Sequence, residues 1–164
     1  MTLTVLWLGA LLSLVVFLMA PMITTATDLE VPLRPGEKDR CPVCGMLVSP
    51  YLDWIAQARH GDGRTVFFDG CKDLFKYLLS LDQHTLEKRR SSVAAVFVTN
   101  YYDGEIVAAR TALFVVGSNV MGPMGPELVP HRSYVAAEDF MRDHDGRRIL
   151  RFDEVTEAIL QEVL

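Results

Sequence analysis

The sequence lacks the short motifs that mark common catalytic sites. It contains no G-x-S-x-G nucleophile elbow, no G-x-x-x-x-G-K-[ST] phosphate loop, no H-E-x-x-H helix and no G-x-G-x-x-G fingerprint. We therefore expect a protein that is not an enzyme.

Basic residues are few, and charge is absent from one end of the chain. The 16 Lys and Arg are outnumbered by 21 Asp and Glu, which gives a net charge of -5, and residues 1–27 carry no charged side chain. Nucleic-acid binding normally requires a basic face. The composition therefore argues against a nucleic-acid partner.

The uncharged end is almost uninterrupted apolar sequence from residue 3 to residue 22. At about 1.5 Å per residue this stretch makes a helix of about 30 Å, the thickness of a bilayer core. We predict a transmembrane anchor at 1–27; a signal segment cleaved after Ala20 or Ala26 is the alternative. No cysteine lies near residue 20, so a lipid-modified cysteine is excluded there. Residues 28–40, rich in Pro, Gly and charge, are predicted to be a linker.

Hydrophobic periodicity beyond the linker predicts an α+β protein with two tandem small β-β-α-β units, residues 41–102 and 103–164. The predicted strands are 54–60, 64–68, 93–101, 105–109, 112–117 and 148–152. One helix is expected after Asp69-Gly70, one over 136–142 with Ser133 as its cap, and a final one capped by Asp153. Residues 121–130 are expected to form a loop rich in Gly and Pro.

Only three cysteines are present, and two of them stand in the run Cys41-Pro42-Val43-Cys44-Gly45-Met46. Thiolate and thioether sulfur are soft donors, which select Cu(I) among common biological metals. Gly45 lets the backbone turn so that the Met46 sulfur can return toward the thiols. A disulfide, a thioredoxin-like redox pair and half of a zinc site are the alternatives. No second C-x-x-C or H-x-x-H completes a zinc site, and the polar linker offers no strand for a thioredoxin-like motif.

Four further residues are candidates for the same metal. Met121 and Met124 lie in the Gly/Pro loop, and His131 follows it. Cys71 stands at a predicted helix start, where the helix dipole lowers thiol pKa values. Their alternatives are two packing methionines, an exposed histidine and a small buried apolar residue.

Several segments together resemble the NosL-type nitrous-oxide reductase accessory proteins, a family of copper chaperones. The segments appear in the family's order between about residues 38 and 160, and they are 41–46, 67–70, 73–77, 114–118, 122–125 and 152–155. Cys-Gly-Met and Gly-Pro-Met-Gly in one chain make the resemblance specific.

The resemblance implies a copper(I) metallochaperone on the periplasmic side of the inner membrane. It implies that Cys44, Met46 and Met124 bind Cu(I), with Cys41 as a fourth candidate ligand. The cargo would pass to the copper centres of nitrous-oxide reductase, helped by a copper transporter complex and its periplasmic subunit. Family members are typically lipoproteins, whereas this chain is predicted to use a transmembrane anchor. The alternatives are a membrane-tethered thiol-disulfide reductase that uses Cys41 and Cys44, and a tethered structural protein with an ordinary disulfide.

Overall fold

A computed structural model of the protein describes residues 31–80 and 93–163. The predicted anchor at 1–27 and the first three linker residues lie outside these ranges. The strands are β1 (Ala56–His60), β2 (Thr65–Phe68), β3 (Val93–Thr99), β4 (Ile106–Ala108), β5 (Leu113–Val116), β6 (Met121–Gly122), β7 (Gly125–Pro126), β8 (Val129–His131) and β9 (Arg148–Arg151). The α-helices are α1 (Cys71–Ser80), α2 (Tyr134–Asp143) and α3 (Glu157–Glu162).

The first sheet has the antiparallel order β2-β1-β3-β4. Residues 61–64 form the tight turn between β1 and β2, and Gly63 adopts the left-handed backbone that this turn requires, with φ +88°. After β2 the chain enters α1, which packs on β1 and β2. It then returns as β3 beside β1, so these elements make one β-β-α-β unit.

The second sheet has the antiparallel order β8-β5-β9, and α2 packs on all three strands. In each unit the first strand along the chain lies in the middle: β5 lies between β8 and β9, as β1 lies between β2 and β3. The α+β class with two β-β-α-β units is therefore confirmed. β4 follows residue 102 in the chain yet pairs with β3, so the first sheet includes a strand from beyond the predicted boundary. The division into units at residues 102 and 103 stays a prediction.

One hydrophobic core joins the two units. Phe68 and Leu74 from the first unit and Phe114 and Leu128 from the second are all 0% exposed and belong to the same cluster. Each such side chain contributes about 1.5–3 kcal/mol through burial. The start of α1 is consequently held against residues that lie far away in the chain.

Three local predictions differ from the structure. The first strand begins at Ala56 because Ser49–Trp54 forms a 3-10 helix. Residues 121–130 contain the hairpin β6–β7 and strand β8 rather than a loop alone. Thr156, not Asp153, caps the final helix, since its Oγ1 accepts a hydrogen bond from the Ile159 amide. Ser133 caps α2 as predicted.

The described part of the predicted linker packs against the first sheet. The Leu33 amide donates to Gln57 Oε1 over 2.9 Å, and Gln57 Nε2 donates to the Leu33 carbonyl over 3.0 Å. Among the helices in residues 31–80 and 93–163, none has the length and apolar character needed to cross a bilayer.

Candidate metal centre

Residues 40–47 form a closed turn that presents the two nearby cysteines. Arg40 and Leu47 pair as an isolated antiparallel bridge at its base. Within it the Cys41 amide donates to the Met46 carbonyl over 2.9 Å, and the Gly45 amide donates to the Cys41 carbonyl over 2.8 Å. Gly45 has φ +80°, which an L side chain rarely adopts. The backbone therefore requires glycine between Cys44 and Met46.

Two carboxylates meet the two thiols of this turn. One ligand atom from each of Cys41, Cys44, Asp69 and Asp73 lies within 4.8 Å of the others. Cys41 Sγ donates to Asp73 Oδ2 over 3.3 Å, and Cys44 Sγ donates to Asp69 Oδ1 over 3.2 Å. We call these four residues the Cys/Asp cluster.

The two aspartates belong to the start of α1. Asp69 lies in the short link between β2 and α1, and Asp73 lies in the first turn of the helix. Both are buried, and Asp69 Oδ2 has no hydrogen-bond partner among the described residues. A buried carboxylate oxygen without a donor is costly in free energy unless a cation compensates it. The cluster therefore has the electrostatics of a cation site.

The thiols hold their protons in the absence of a metal. Burial raises the pKa of the Cys41 thiol well above its usual range, and the Asp69 carboxylate adds to the rise. Burial also raises the pKa of Cys44. Redox cysteines need a lowered pKa, because the thiolate is the attacking species. Cys41 and Cys44 form no disulfide in this structure, and their environment disfavours a thioredoxin-like pair.

The donor set fits a metal ion that accepts sulfur. Thiolates suit Cu(I) and Zn²⁺, whereas carboxylates favour harder cations. Binding removes the thiol protons, so the affinity of such a site rises with pH. The two carboxylates stand where they can accept these protons or complete the coordination.

The two methionines that were predicted as ligands lie in separate segments. Met46 is half-buried in the turn formed by residues 40–47. Met124 is 45% exposed at the tip of the hairpin formed by β6 and β7, where Pro123 and Met124 are the turn residues and Gly125 has φ +84°. We call residues 121–126 the methionine hairpin.

The methionine hairpin is hydrogen-bonded to a residue in the first turn of α1. Lys72 Nζ donates to the carbonyl of Met124 over 2.9 Å and to that of Pro126 over 2.7 Å. Lys72 is the chain neighbour of Asp73, so the backbone of Met124 contacts the helix turn that carries the Cys/Asp cluster. Cys41, Cys44 and the methionine hairpin thus meet the same end of α1. The assignment of Cys41, Cys44, Met46 and Met124 as ligands stays a prediction.

A buried glutamate strengthens this attachment. Glu127 Oε1 accepts hydrogen bonds from the amides of Lys72 and Leu128. Its carboxylate fills the space beside Gly70, where a Cβ atom would lie 2.2 Å from Glu127 Oε2. Glu127 therefore connects the methionine hairpin to the N-terminus of α1, across 55 residues of sequence.

Two other candidates lie outside the cluster. Cys71 is buried as a small apolar residue, and burial followed by the Glu127 charge raises its pKa. His131 is fully buried among Tyr101, Tyr102 and Phe140, so the expectation of an exposed histidine is wrong. Burial lowers the pKa of His131 to about 4. In the part of the chain that the structure describes, neither residue joins a group of metal-binding side chains.

Sequence reasoning missed Asp69, Asp73, Lys72 and Glu127. Asp69 was expected only near a helix cap. The available signal was a pair of aspartates, Asp69 and Asp73, placed on either side of a predicted helix start.

Comparison with known proteins agrees with the geometry. The NosL family model matches residues 32–160. The copper-binding lipoprotein NosL of Stutzerimonas stutzeri is 27% identical over 133 residues, which are 80% of this chain and 69% of that protein. The crystal structure of the copper chaperone NosL from Shewanella denitrificans superposes with a TM-score of 0.67 at 26% identity, covering 78% of this chain and 97% of that one. Because the family model spans most of the chain, this protein belongs to the NosL family.

Proposed function

We propose that the protein is a Cu(I) metallochaperone whose cargo is bound by Cys41, Cys44, Met46 and Met124. The observation that carries the proposal is the Cys/Asp cluster, with its four ligand atoms within 4.8 Å of one another and the methionine hairpin bonded to the same helix turn. The two relatives described as copper-binding and as a copper chaperone support the choice of metal.

The oxidation state follows from the donors. Two thiols and two thioethers are soft ligands, and Cu(I) is the soft ion among common biological metals. When Cu(I) binds, each cysteine that coordinates it loses its thiol proton. Asp69 and Asp73 accept hydrogen bonds from these thiols, so they are placed to take the protons as the Cu–S bonds form.

Release requires a ligand that can leave first. Met124 stands on an exposed hairpin tip, and its neutral thioether needs no proton to dissociate. An incoming sulfur or nitrogen ligand from the receiving protein replaces Met124 before the buried Cys41 is displaced. Transfer therefore proceeds by stepwise ligand exchange rather than by free copper.

The recipient in this proposal is nitrous-oxide reductase, and the copper passes through a membrane copper transporter complex and its periplasmic subunit. The chaperone domain stands on the periplasmic side of the inner membrane, held there by residues 1–27. The apolar character of residues 3–22 supports an anchor, and no cysteine near residue 20 offers a site for lipid attachment.

An anaerobic titration of the purified full-length chain against a Cu(I) chelator tests the ligand set. We expect one equivalent of Cu(I), and a loss of affinity of more than about 100-fold for Cys44→Ser, since even outer residues of metal sites contribute about 10–100-fold. Met124→Ala is expected to weaken binding by about tenfold or more, on the same scale.

Met121→Ala is the matched control, because Met121 lies in the same hairpin and is 58% exposed. We expect it to leave the affinity unchanged. Wild-type affinity in both Cys44→Ser and Met124→Ala would remove the assignment. Reduction of insulin disulfides that persists in the Met124→Ala variant would favour the reductase instead.

A further inference from the structure

A groove of about 640 Å³ lies at one end of the second sheet, away from the Cys/Asp cluster. Three arginines line it, Arg110, Arg132 and Arg151, together with Tyr134, Phe152 and Asp153. We call it the arginine groove. Three cations and one carboxylate line the groove, in a chain whose net charge is -5.

Two of these cations form no salt bridge with any acidic side chain in the described part of the chain. Arg132 pairs with Asp103 over 3.0 Å. Within residues 31–80 and 93–163, neither Arg110 nor Arg151 forms a salt bridge. The guanidinium of Arg110 stacks instead on the Phe152 ring, 5.1 Å from its centre. Stacking holds the guanidinium plane in place while its N–H groups stay available to an anion.

An exposed aromatic side chain lines the same groove. Tyr134 is 57% exposed, although it belongs to the first turn of α2. Tyrosine and arginine are enriched at the centres of protein interfaces. The N-terminus of α2 adds a partial positive charge beside the arginines.

The groove and the methionine hairpin lie at opposite ends of the second sheet. Leu113 of β5 is aligned with His131 of β8 and Arg151 of β9, and the groove residues adjoin this end. The methionine hairpin leaves from the other end, between Val116 and Val129. An occupant of the groove therefore leaves the Cys/Asp cluster accessible.

We propose that the arginine groove binds an acidic segment of a partner protein. The volume exceeds what one small inorganic anion fills, and apolar walls at Phe152 and Tyr134 suit side chains next to the carboxylates. Guanidinium groups bind carboxylates through paired hydrogen bonds. A concave groove also suits a peptide better than a flat lipid surface. The partner is held there while metal exchange occurs at the far end of the sheet.

The test is a binding titration of the full-length chain with a short blocked peptide of glutamate, leucine and glycine, followed by fluorescence anisotropy. We expect the Arg110→Gln/Arg151→Gln variant to bind it at least about tenfold more weakly. Arg148→Gln is the matched control, since Arg148 is on the same strand as Arg151 but pairs with Glu162 outside the groove. Tyr134→Ser tests the apolar border independently of the strand and should also weaken binding.

Each further outcome decides the proposal. A glutamine version of the peptide should not bind, and equal binding would overturn the role of charge. Inorganic phosphate or vesicles of phosphatidylglycerol that compete as strongly as the peptide would assign the groove to phosphate anions instead. Failure of the glutamate peptide to bind the unmodified chain would also overturn it. Cu(I) affinity should be unchanged in Arg110→Gln/Arg151→Gln, which shows that the variant is folded and separates this proposal from the copper site.

Discussion

The two β-β-α-β units share one strand order, but the first turns of their helices are held in different ways. The first turn of α1 is buried, and a carboxylate from the other unit, that of Glu127, accepts its Lys72 amide. The first turn of α2 begins with the exposed Tyr134 and Val135, and the adjacent Ser133 side chain caps it by accepting from the Ala136 amide over 3.2 Å. One helix start thus depends on the tertiary fold, and the other depends on its own sequence.

This difference explains where the chemistry lies. Three carboxylates, those of Asp69, Asp73 and Glu127, surround the N-terminus of α1, where the helix dipole favours negative charge. Their burial leaves a site that a cation can complete. The N-terminus of α2 has no acidic residue in its first turn and instead borders the arginine groove. Similar topology therefore carries the candidate metal centre in one unit and the arginine groove in the other.

The largest expected difference between the two helix starts is in their response to pH. Burial raises the pKa of Glu127 from 4.5 to about 7. A raised pKa means that the folded state binds the proton more tightly, so this stabilisation is full below pH 4.5 and is lost as pH rises through about 7. The change in the free energy of unfolding is about 3 kcal/mol.

Glu127→Gln keeps the oxygen that accepts from the Lys72 and Leu128 amides but cannot ionise. The stability of the unmodified chain relative to Glu127→Gln, measured by urea unfolding of the metal-free proteins, should therefore fall by about 3 kcal/mol between pH 4.5 and pH 7. The lowered pKa of the buried His131 acts in the opposite sense over this range, but it is common to both proteins and cancels in their difference. Glu138→Gln, on the exposed face of α2, should keep the dependence of the unmodified chain. Parallel stability curves for Glu127→Gln and the unmodified chain would contradict the assignment.

Gly70→Ala should separate the methionine hairpin from α1. The added Cβ meets Glu127 Oε2 at 2.2 Å, and crowding of this kind costs about 1–3 kcal/mol of unfolding free energy. Cu(I) affinity should fall as well, because the hairpin loses its attachment beside the Cys/Asp cluster. In a Glu127→Ala background the same substitution should cost less, since its clash partner is gone. Equal costs in both backgrounds would show that Glu127 is not what Gly70 accommodates.

Substitution of the aspartates in the Cys/Asp cluster should lower Cu(I) affinity, whereas substitution of an aspartate on α2 should not. We expect Asp69→Asn and Asp73→Asn each to weaken Cu(I) binding by about 10–100-fold, the usual effect of groups that orient metal ligands. Asp139→Asn, which removes a carboxylate that pairs with Arg142 on α2, should leave the affinity unchanged. Chelator competition measures all three, and unchanged affinity in both cluster variants would exclude a role for the carboxylates.

Local patterns in the sequence were sufficient for most of the fold. Alternating or continuous apolar runs predicted strands in both units, and Ser133 predicted the start of α2 because capping is decided within four residues. The methionine hairpin was missed as a hairpin because strands of two residues are too short to show a period. Asp153 was predicted as the last cap and Thr156 was missed, because Asp and Thr are both capping residues and the 3-10 turn Phe152–Glu154 gives no periodic signal.

The candidate site also has one part that the local sequence predicts and one part that it does not. The C-x-x-C-G-M run indicated Cys41 and Cys44 directly, since their chemistry is evident from spacing. The contact of Cys41 with Asp73 spans 32 residues, and that of Lys72 with Glu127 spans 55. Contacts at such separations follow from how the two sheets pack, which no local pattern encodes. The part of the site that depends on α1 therefore required the tertiary structure.

The smallest expected effect is on α2, whose first turn is capped by the adjacent Ser133. Ser133→Ala removes the oxygen that accepts the Ala136 amide, and loss of such a cap costs about 1 kcal/mol. The cost should be the same at pH 4.5 and at pH 7, because no ionisable group takes part, and Cu(I) affinity should not change. Urea unfolding at both pH values and chelator competition check these statements. A fall in Cu(I) affinity for Ser133→Ala would mean that the two helix starts are coupled, and the contrast between them would not hold.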